Sequence, residues 1–472
     1  MLIAAILILA PLIPTVYLLM DPANDPLIME PAFHFYIVSA ACLLSAAICV
    51  ALVISARSLR ETRILFLALC FFSLTMIFSL HGITTPGHLY HDVTAALTRS
   101  PYMATLVASV FAALSVISIP KVMERATVRV PEITFGAIAA VLFLYFGTSL
   151  SFPNWLEGFP TTEKWFRDVL SSITIFLLGF AAWRYLQAYL FARLPGQLAM
   201  VVGLVLLAEA QVSLAQGQVW HLSWWMYHGL FFLAFAVVLS GWVMEMARAK
   251  DVRAIAEALV MRDSLGQLNR GRPEAVVDLA DEIESRDPAT FRHVDRVASY
   301  AYAIGQQIGL GPARLRDLVL AAQLHDIGKI SLPGYILTKP GKLTDDEWWI
   351  MKQHPAKGWE IVSRARRLRP VAEIIRHHHE RFAGDGYPDA LSGEEIPLEA
   401  RIISVADAFD AITSERPYRA AMSLAEAKAE LRRVSGSQLD PDIVDAFLHV
   451  LEDGRVSALP EPEHLPEAAP AN

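Results

Sequence analysis

The sequence is poor in cysteine and has no excess of basic residues. Its three cysteines, Cys42, Cys49 and Cys70, all lie in apolar runs, so neither a disulfide framework nor a thiolate metal site is indicated. The chain has 40 lysine and arginine residues against 48 aspartate and glutamate residues, which gives a formal net charge of −8. Since no basic and aromatic patch offsets this balance, nucleic-acid polymers are excluded as expected partners.

Long apolar runs are missing from the second half of the chain and crowd the first. At 472 residues two or more domains are expected, and almost all of the hydrophobic excess lies before residue 246. This half has eight apolar runs of about bilayer length, roughly 2–20, 36–56, 64–80, 101–120, 133–152, 169–190, 197–216 and 224–245. Basic residues cluster at alternate junctions, which predicts cytoplasmic termini and the lipid bilayer as a partner. If the first run is instead a cleaved signal peptide, seven spans remain in the same orientation.

The second half carries a motif that favours a metal site. In His325-Asp326-Ile327-Gly328-Lys329 an imidazole and a carboxylate are adjacent, a combination suited to holding and bridging divalent ions. Lys329 follows one helical turn later, so its ammonium group can reach an anion that such ions bind. Further candidate groups are His293, His354, His378, His379, Glu380 and Asp407. Each alone has an ordinary structural explanation, but together they favour a metal site; His377 is expected to be merely an exposed polar residue.

From about Arg272 to Asp453 the chain resembles the HD-GYP domain, a subgroup of the HD metal-dependent phosphohydrolases that cleaves cyclic dimeric GMP. The resemblance is carried by the segments HDIGKISLPGYILTKPGKLTDDEWWIMKQHPAKGWEIV, HHERFAGDGYP and IPLEARIISVADAFDAITSERPYR, which follow one another in the family's order. It implies a signalling phosphodiesterase anchored in the bacterial cytoplasmic membrane, with its catalytic domain in the cytoplasm and cyclic dimeric GMP as its substrate.

The resemblance also implies which residues carry the chemistry. Two divalent metal ions would activate a water molecule and clamp the phosphoryl oxygens, and mixed imidazole and carboxylate ligands suit iron or manganese. The implied ligands are His293, His325, Asp326, His354, His378, His379 and Asp407, with Asp326 bridging the ions. Lys329 is expected to contact the scissile phosphate, and Tyr387, Arg416 and Arg419 to orient the nucleotide. Asp410, one turn after Asp407, is expected to support a ligand.

Two departures from the family pattern leave alternatives open. Where the family has HHE-x-x-DG-x-GYP, this chain has Ala383 in place of the aspartate, and Asp385 could replace it only if the loop shifts. Ala289 stands where some members have a glutamate for a third metal ion, so two ions are expected. Besides the phosphodiesterase, two functions stay open. One is a weakly active or inactive domain that senses nucleotides or docks proteins, and the other is a transporter or channel that this domain regulates.

The predicted fold class is all-α: a polytopic membrane bundle of about eight spans, followed by a cytoplasmic all-helical HD-type domain. In the second half, helical spacing of apolar residues predicts helices over 298–308, 314–324, 345–354, 398–413 and 424–434. The predicted regions are a transmembrane sensor region over 1–246, a linker helix over 247–271, the catalytic domain over 272–455 and a disordered tail over 456–472. The linker is either a signalling helix that pairs with its copy in a homodimer or an ordinary connection.

The membrane half also contains polar residues that the spans do not explain. Six of the 14 histidines lie there, all toward the outer side: His34, His81, His88, His91, His221 and His228. They indicate either a metal, haem or proton sensor, centred on His81, His88 and His91, or ordinary interfacial residues. Glu209 is expected to be paired within its span, with His228 as the candidate partner. Trp220, Trp224 and Trp225 are expected to form an aromatic belt at the outer interface.

Overall fold

The chain folds into two compact units, Met1–Arg270 and Gly271–Asn472. The structure is a computed structural model, and it describes residues 2–59, 62–117 without 88, 131–249 without 153, 156, 158, 159, 161 and 162, 288–414 without 338, 340 and 367, and 421–456 without 455. Within these ranges both units are helical and contain no named β-strand, which confirms the all-α prediction. The segment beyond residue 249 that was predicted to be a linker helix, Arg416, Arg419 and the tail beyond residue 456 lie outside the described residues.

The first unit contains eight described helices that correspond to the eight apolar runs. They are α1 (Leu2–Met20), α2 (Pro31–Leu59), α3 (Thr62–Ile83), α4 (Ala95–Val116), α5 (Pro131–Ser151), α6 (Lys164–Ala192), α7 (Pro195–Gln216) and α8 (Leu222–Ala249). Seven of them are long and apolar enough to cross a membrane, judged by length and composition. Helix α5 contains a shorter apolar segment, Phe135–Ser151.

Apolar side chains and small residues bring these helices together. Helix α3 packs against α2 and α4, and α7 packs against α6 and α8. A Cβ atom on Gly241 of α8 would lie 2.2 Å from the Cβ atom of Ala199 on α7, so only glycine permits this approach. The core between the helices is filled by large buried side chains, among them Tyr185, Phe231 and Trp242.

Two predictions for polar and aromatic residues of this unit are wrong. Glu209 Oε2 has no hydrogen-bond partner among the described residues, and His228 instead contacts two other histidines. The expected outer belt of Trp220, Trp224 and Trp225 is a buried group, because these rings pack around the histidines and are at most 9% exposed.

The second unit is built from short amphipathic helices joined by glycine- and proline-rich turns. Its helices are α9 (Pro288–Gln307), α10 (Pro312–Leu324), α11 (Gly334–Leu337), α12 (Asp345–Met351), α13 (His354–Arg364), α14 (Arg369–Arg376), α15 (Leu398–Thr413), α16 (Leu424–Val434) and α17 (Pro441–Glu452), with 3-10 turns at Ile327–Ser331 and Gly393–Glu395. All five predicted helices are present. The predicted helix 345–354 was too long: it ends at Met351, and His354 begins α13, because Pro355 suits the first turn of a helix.

The packing of this unit gathers several helix ends around one point. Helix α9 packs against α10, α15 and α17, and α13 packs against α14 and the 3-10 turn that follows α10. Edge-to-face contacts of Phe409 with Tyr300 and Phe447, at centroid distances of 5.2 and 4.9 Å, hold α15 against α9 and α17. The polar residues at the converging helix ends form the site described next.

Candidate metal centre

The structure brings together all seven residues that the resemblance implies as metal ligands. Three groups have ligand atoms that all lie within 4.8 Å of one another: His293 with His325 and Asp407, His354 with His378 and His379, and His325 with Asp326 and His378. The residues come from α9, the end of α10, the start of α13, the turn after α14, and α15. Residues from distant parts of the chain therefore form one continuous cluster, which we call the HD cluster.

Asp326 lies between the two halves of the HD cluster. Its Oδ2 atom is 3.5 Å from Nε2 of His325, and its Oδ1 atom is 3.4 Å from Nε2 of His354. The side chain is buried, and its two oxygens face histidines of different groups. This placement suits a carboxylate that bridges two metal ions.

Backbone hydrogen bonds orient three of the histidines. The Nδ1 atoms of His325, His354 and His378 lie 2.7, 2.9 and 2.6 Å from the carbonyl oxygens of Ala322, Met351 and Ile375. Since a carbonyl oxygen can only accept, each Nδ1 carries the proton, and each ring turns its Nε2 atom into the cluster. These side chains are held in an orientation that suits metal binding.

Burial keeps the imidazoles of His354 and His378 neutral. It lowers the pKa of His354 to about 3, and it holds the pKa of His378 well below the ordinary value. Both rings are therefore uncharged at neutral pH, as metal ligation requires.

His293 differs because acidic residues surround it. Its Nε2 atom lies 3.3 Å from Oδ1 of Asp407, and its Nδ1 atom donates to Oδ2 of Asp410 at 2.7 Å. Burial lowers its pKa, but the bonds to Asp407 and Asp410 outweigh burial and raise the pKa to about 9. Arg296 donates to both oxygens of Asp410, at 2.5 and 2.9 Å. Sequence reasoning missed Arg296, although it follows His293 by three residues on the same helix face.

We expect Asp410→Asn to weaken metal binding by about 10–100-fold, the usual effect of removing a residue that orients a metal-bound histidine. The amide keeps the size of the side chain, but it has no charge, and its single oxygen cannot accept all three of the bonds that Asp410 receives from His293 and Arg296. Metal titration of the purified protein measures the loss. Asp445→Asn on the exposed face of α17 is the matched control, and equal affinity in the two variants would contradict the role of Asp410.

Lys329 lies against the carboxylate that bridges the cluster. Its Nζ atom donates to Oδ2 of Asp326 at 2.6 Å, from the 3-10 turn Ile327–Ser331. Although burial raises the pKa of Asp326, the nearby charges of Lys329 and of the cluster histidines hold it well below the ordinary value. Asp326 is therefore ionised, and the partly exposed ammonium group of Lys329 is close enough to meet an anion bound at the cluster.

The loop that contains Tyr387 closes over His379. The two ring centroids are 5.1 Å apart, and the Tyr387 amide donates to the His379 carbonyl oxygen at 3.3 Å. The prediction that His377 is exposed is wrong. It is buried, and its Nε2 atom lies 2.9 Å from Oδ2 of Asp389, which also accepts from Arg376. His377 and Arg376 thus anchor this loop to α14.

Asp385 does not take the place of the aspartate that Ala383 replaces. It forms an ion pair with Arg381 at 2.8 Å, and its side chain is 60% exposed. The Ala383 amide donates to the Ser437 carbonyl oxygen at 2.9 Å, which fixes the loop by a backbone contact.

A cavity of about 190 Å³ adjoins the HD cluster, with His378, His379, Glu380 and Asp407 in its lining. Glu380 is buried, and its Oε1 atom accepts from the Asp389 amide at 2.7 Å. Its Oε2 atom has no partner within the described part of the chain. The cluster is therefore bordered by a cavity whose lining includes polar side chains, among them Glu380.

Comparison with known proteins points to the same region. A family model of the HD domain matches residues 278–443. The chain is 43% identical over 206 residues to a cyclic di-GMP phosphodiesterase response regulator of Xanthomonas campestris, covering 43% of this chain and 54% of that protein. It is 45% identical over 167 residues to a cyclic di-GMP phosphodiesterase of Thermotoga maritima, covering 35% of this chain and 45% of that protein.

A third relative is named for a different substrate. The chain is 40% identical over 177 residues to 3'3'-cGAMP-specific phosphodiesterase 2 of Vibrio cholerae, covering 37% of this chain and 34% of that protein. The chain thus spans about half or less of the length of these curated relatives. The matches support the resemblance of the second unit to the HD-GYP family.

Proposed function

We propose that this protein is a membrane-anchored signalling phosphodiesterase that hydrolyses cyclic di-GMP through a two-metal site. The observation that carries the proposal is the HD cluster, in which the two oxygens of Asp326 face histidines of different ligand groups. Relatives at 43% and 45% identity are named cyclic di-GMP phosphodiesterases, which supports the choice of substrate.

The donor set fits two divalent metal ions, and the mixture of imidazole and carboxylate groups favours iron or manganese. Bound ions would supply an activated water molecule and stabilise charge on the phosphoryl oxygens. The chain's own residues do the rest. Six residues would hold the ions: His293, His325, His354, His378, His379 and Asp407. Asp326 would bridge the ions, and Lys329 would donate to a phosphate oxygen. Tyr387 borders the nucleotide beside His379, and we assign Arg416 and Arg419 to the nucleotide as well.

The first unit serves as the anchor and the sensor in this proposal. Seven of its helices are long and apolar enough to cross a membrane, and the alternation of basic loops predicts that the HD unit lies in the cytoplasm. The segment 247–271 would connect the two units and pair with its copy in a homodimer.

The test uses the full-length protein in detergent, freed of metal and then loaded with Fe²⁺ or Mn²⁺. We expect metal-dependent hydrolysis of cyclic di-GMP that exceeds hydrolysis of 3'3'-cGAMP, and complete loss of activity with a chelator. Binding of the dinucleotide without any turnover would support the second candidate function, a nucleotide sensor or protein-docking module. The absence of both binding and turnover would overturn both candidate functions.

Ala383 is the observation that favours the second candidate. We expect Ala383→Asp to leave turnover unchanged or to raise it by up to about tenfold, the lower range for residues that support metal ligands. Turnover and metal content of the variant are compared with those of Ala425→Asp, which adds the same charge at an exposed position of α16. A large loss in Ala383→Asp alone would show that the loop is adapted to alanine.

A further inference from the structure

Three histidines from three helices meet inside the first unit. They are His34 of α2, His81 of α3 and His228 of α8, and each is at most 2% exposed. The Nε2 atom of His34 lies 2.9 Å from those of His81 and His228, which are 3.2 Å from each other. We call this group the tri-histidine cluster. It lies in the first unit and shares no residue with the HD cluster.

The neighbouring groups orient two of these rings. The Nδ1 atom of His81 lies 2.7 Å from the Leu97 carbonyl oxygen and must donate to it. The Nδ1 atom of His34 lies 2.8 Å from the Thr85 hydroxyl oxygen. Both rings therefore turn their Nε2 atoms toward the centre of the tri-histidine cluster.

A proton on any one of the three Nε2 atoms can bond well to only one of the other two nitrogens. A metal ion satisfies all three, because Nε2 separations of 2.9, 2.9 and 3.2 Å leave a point about 2.0–2.1 Å from each atom, the length of a bond between zinc and an imidazole nitrogen. The Tyr227 hydroxyl also lies at the cluster, 2.7 Å from Nε2 of His81.

A shell of aromatic rings encloses the tri-histidine cluster. Trp224 stacks on His34 at a centroid distance of 5.2 Å and meets His228 edge-on at 4.5 Å. Phe78 stacks on His81 at 5.4 Å. Such a shell fixes the ring planes and excludes water, as the apolar surroundings of protein metal sites do.

We propose that His34, His81 and His228 bind one transition-metal ion of the class that imidazole ligates, Zn²⁺ or Cu²⁺. His34 lies in the first turn of α2, His81 in the last turn of α3 and His228 in the second turn of α8, so the ion joins the same end of three helices. By the positive-inside rule this end faces outward. The site does not depend on phosphodiesterase activity. Its ligands differ from the histidine group that was predicted from the sequence. His91 is exposed, and His88 lies outside the described residues.

The experiment counts the zinc ions that the full-length protein retains in detergent after loading with Zn²⁺ and gel filtration. Wild type should hold one ion more than each of His34→Asn, His81→Asn and His228→Asn. The exposed His91→Ala is the matched control and should hold the wild-type number. Zn²⁺ should raise the thermal midpoint of the first unit, followed by tryptophan fluorescence, in wild type and His91→Ala but not in the three variants. The same metal count in wild type and a folded variant overturns the proposal.

Anomalous diffraction at the zinc edge, from crystals of the wild-type protein, decides the matter without any variant. A peak between the three Nε2 atoms is expected. A map with peaks only at the HD cluster would overturn the tri-histidine site and leave the phosphodiesterase proposal standing. Loss of the ions at the HD cluster in Asp326→Ala, with the tri-histidine ion retained, would show that the two sites bind metal independently.

Discussion

Replacement of Asp326 by alanine is expected to abolish hydrolysis of cyclic di-GMP and to remove at least one bound metal ion. The two oxygens of this carboxylate face His325 and His354, which belong to different ligand groups. Its loss therefore weakens both ion positions and removes the carboxylate to which Lys329 donates. We expect turnover to fall by more than about 100-fold, beyond the range for residues that only support ligands. Turnover and metal content are measured on the same preparation.

Asp326→Asn refines this test because the amide keeps the shape of the side chain but not its charge. The nearby Lys329 and the histidines hold the pKa of Asp326 well below its ordinary value, so the charge is present throughout the neutral range. The asparagine variant should therefore lose metal nearly as completely as the alanine variant, while Asp445→Asn should not. Full metal content with normal turnover in Asp326→Ala would show that another group bridges the ions.

The sequence predicted some helices of the second unit accurately and missed others of similar length. Helices α15 and α16 were predicted with their observed ends, because regular apolar spacing fills them and the Ser423–Glu426 capping box marks the start of α16. Helices α13, α14 and α17 were not predicted. They have 11, 8 and 12 residues, and each has a proline in its first turn, a residue that sequence reasoning had taken as an end in His354-Pro355.

The composition of the HD cluster came from the resemblance, which also gave Asp410 a supporting role, but the residues that Asp410 contacts could not be predicted. Asp410 reaches His293 and Arg296 across more than 110 positions of sequence, and nothing local indicates that pairing. The membrane half shows the same limit. Proximity in sequence grouped His81 with His88 and His91. In the fold, His81 instead contacts His34 and His228, which are 47 and 147 positions away in sequence.

Gly328→Ala is expected to lower both metal content and stability, although the residue has no polar side chain. A Cβ atom at this position would lie 1.9 Å from the carbonyl oxygen of His354 and 2.6 Å from the amide nitrogen of Gly358. Both contacts are with backbone, so no side chain can rotate away, and α13 must shift from the 3-10 turn. That shift moves His354 away from Asp326 and disturbs one ligand group. Overpacking of this kind costs about 1–3 kcal/mol of folding free energy.

Gly334→Ala is the matched control for this prediction. A Cβ atom there meets nothing within 4 Å, so the same substitution six residues later should leave metal content unchanged. Thermal unfolding and metal analysis of both variants separate a local clash from a general effect of alanine. If the alanine at 328 merely loosened the fold, added Mn²⁺ would restore full metal content. If it displaces His354, the affinity of the group formed by His354, His378 and His379 for Mn²⁺ is expected to stay below that of the wild type. Wild-type affinity and stability in Gly328→Ala would instead mean that the backbone contact between the turn and α13 does not position His354.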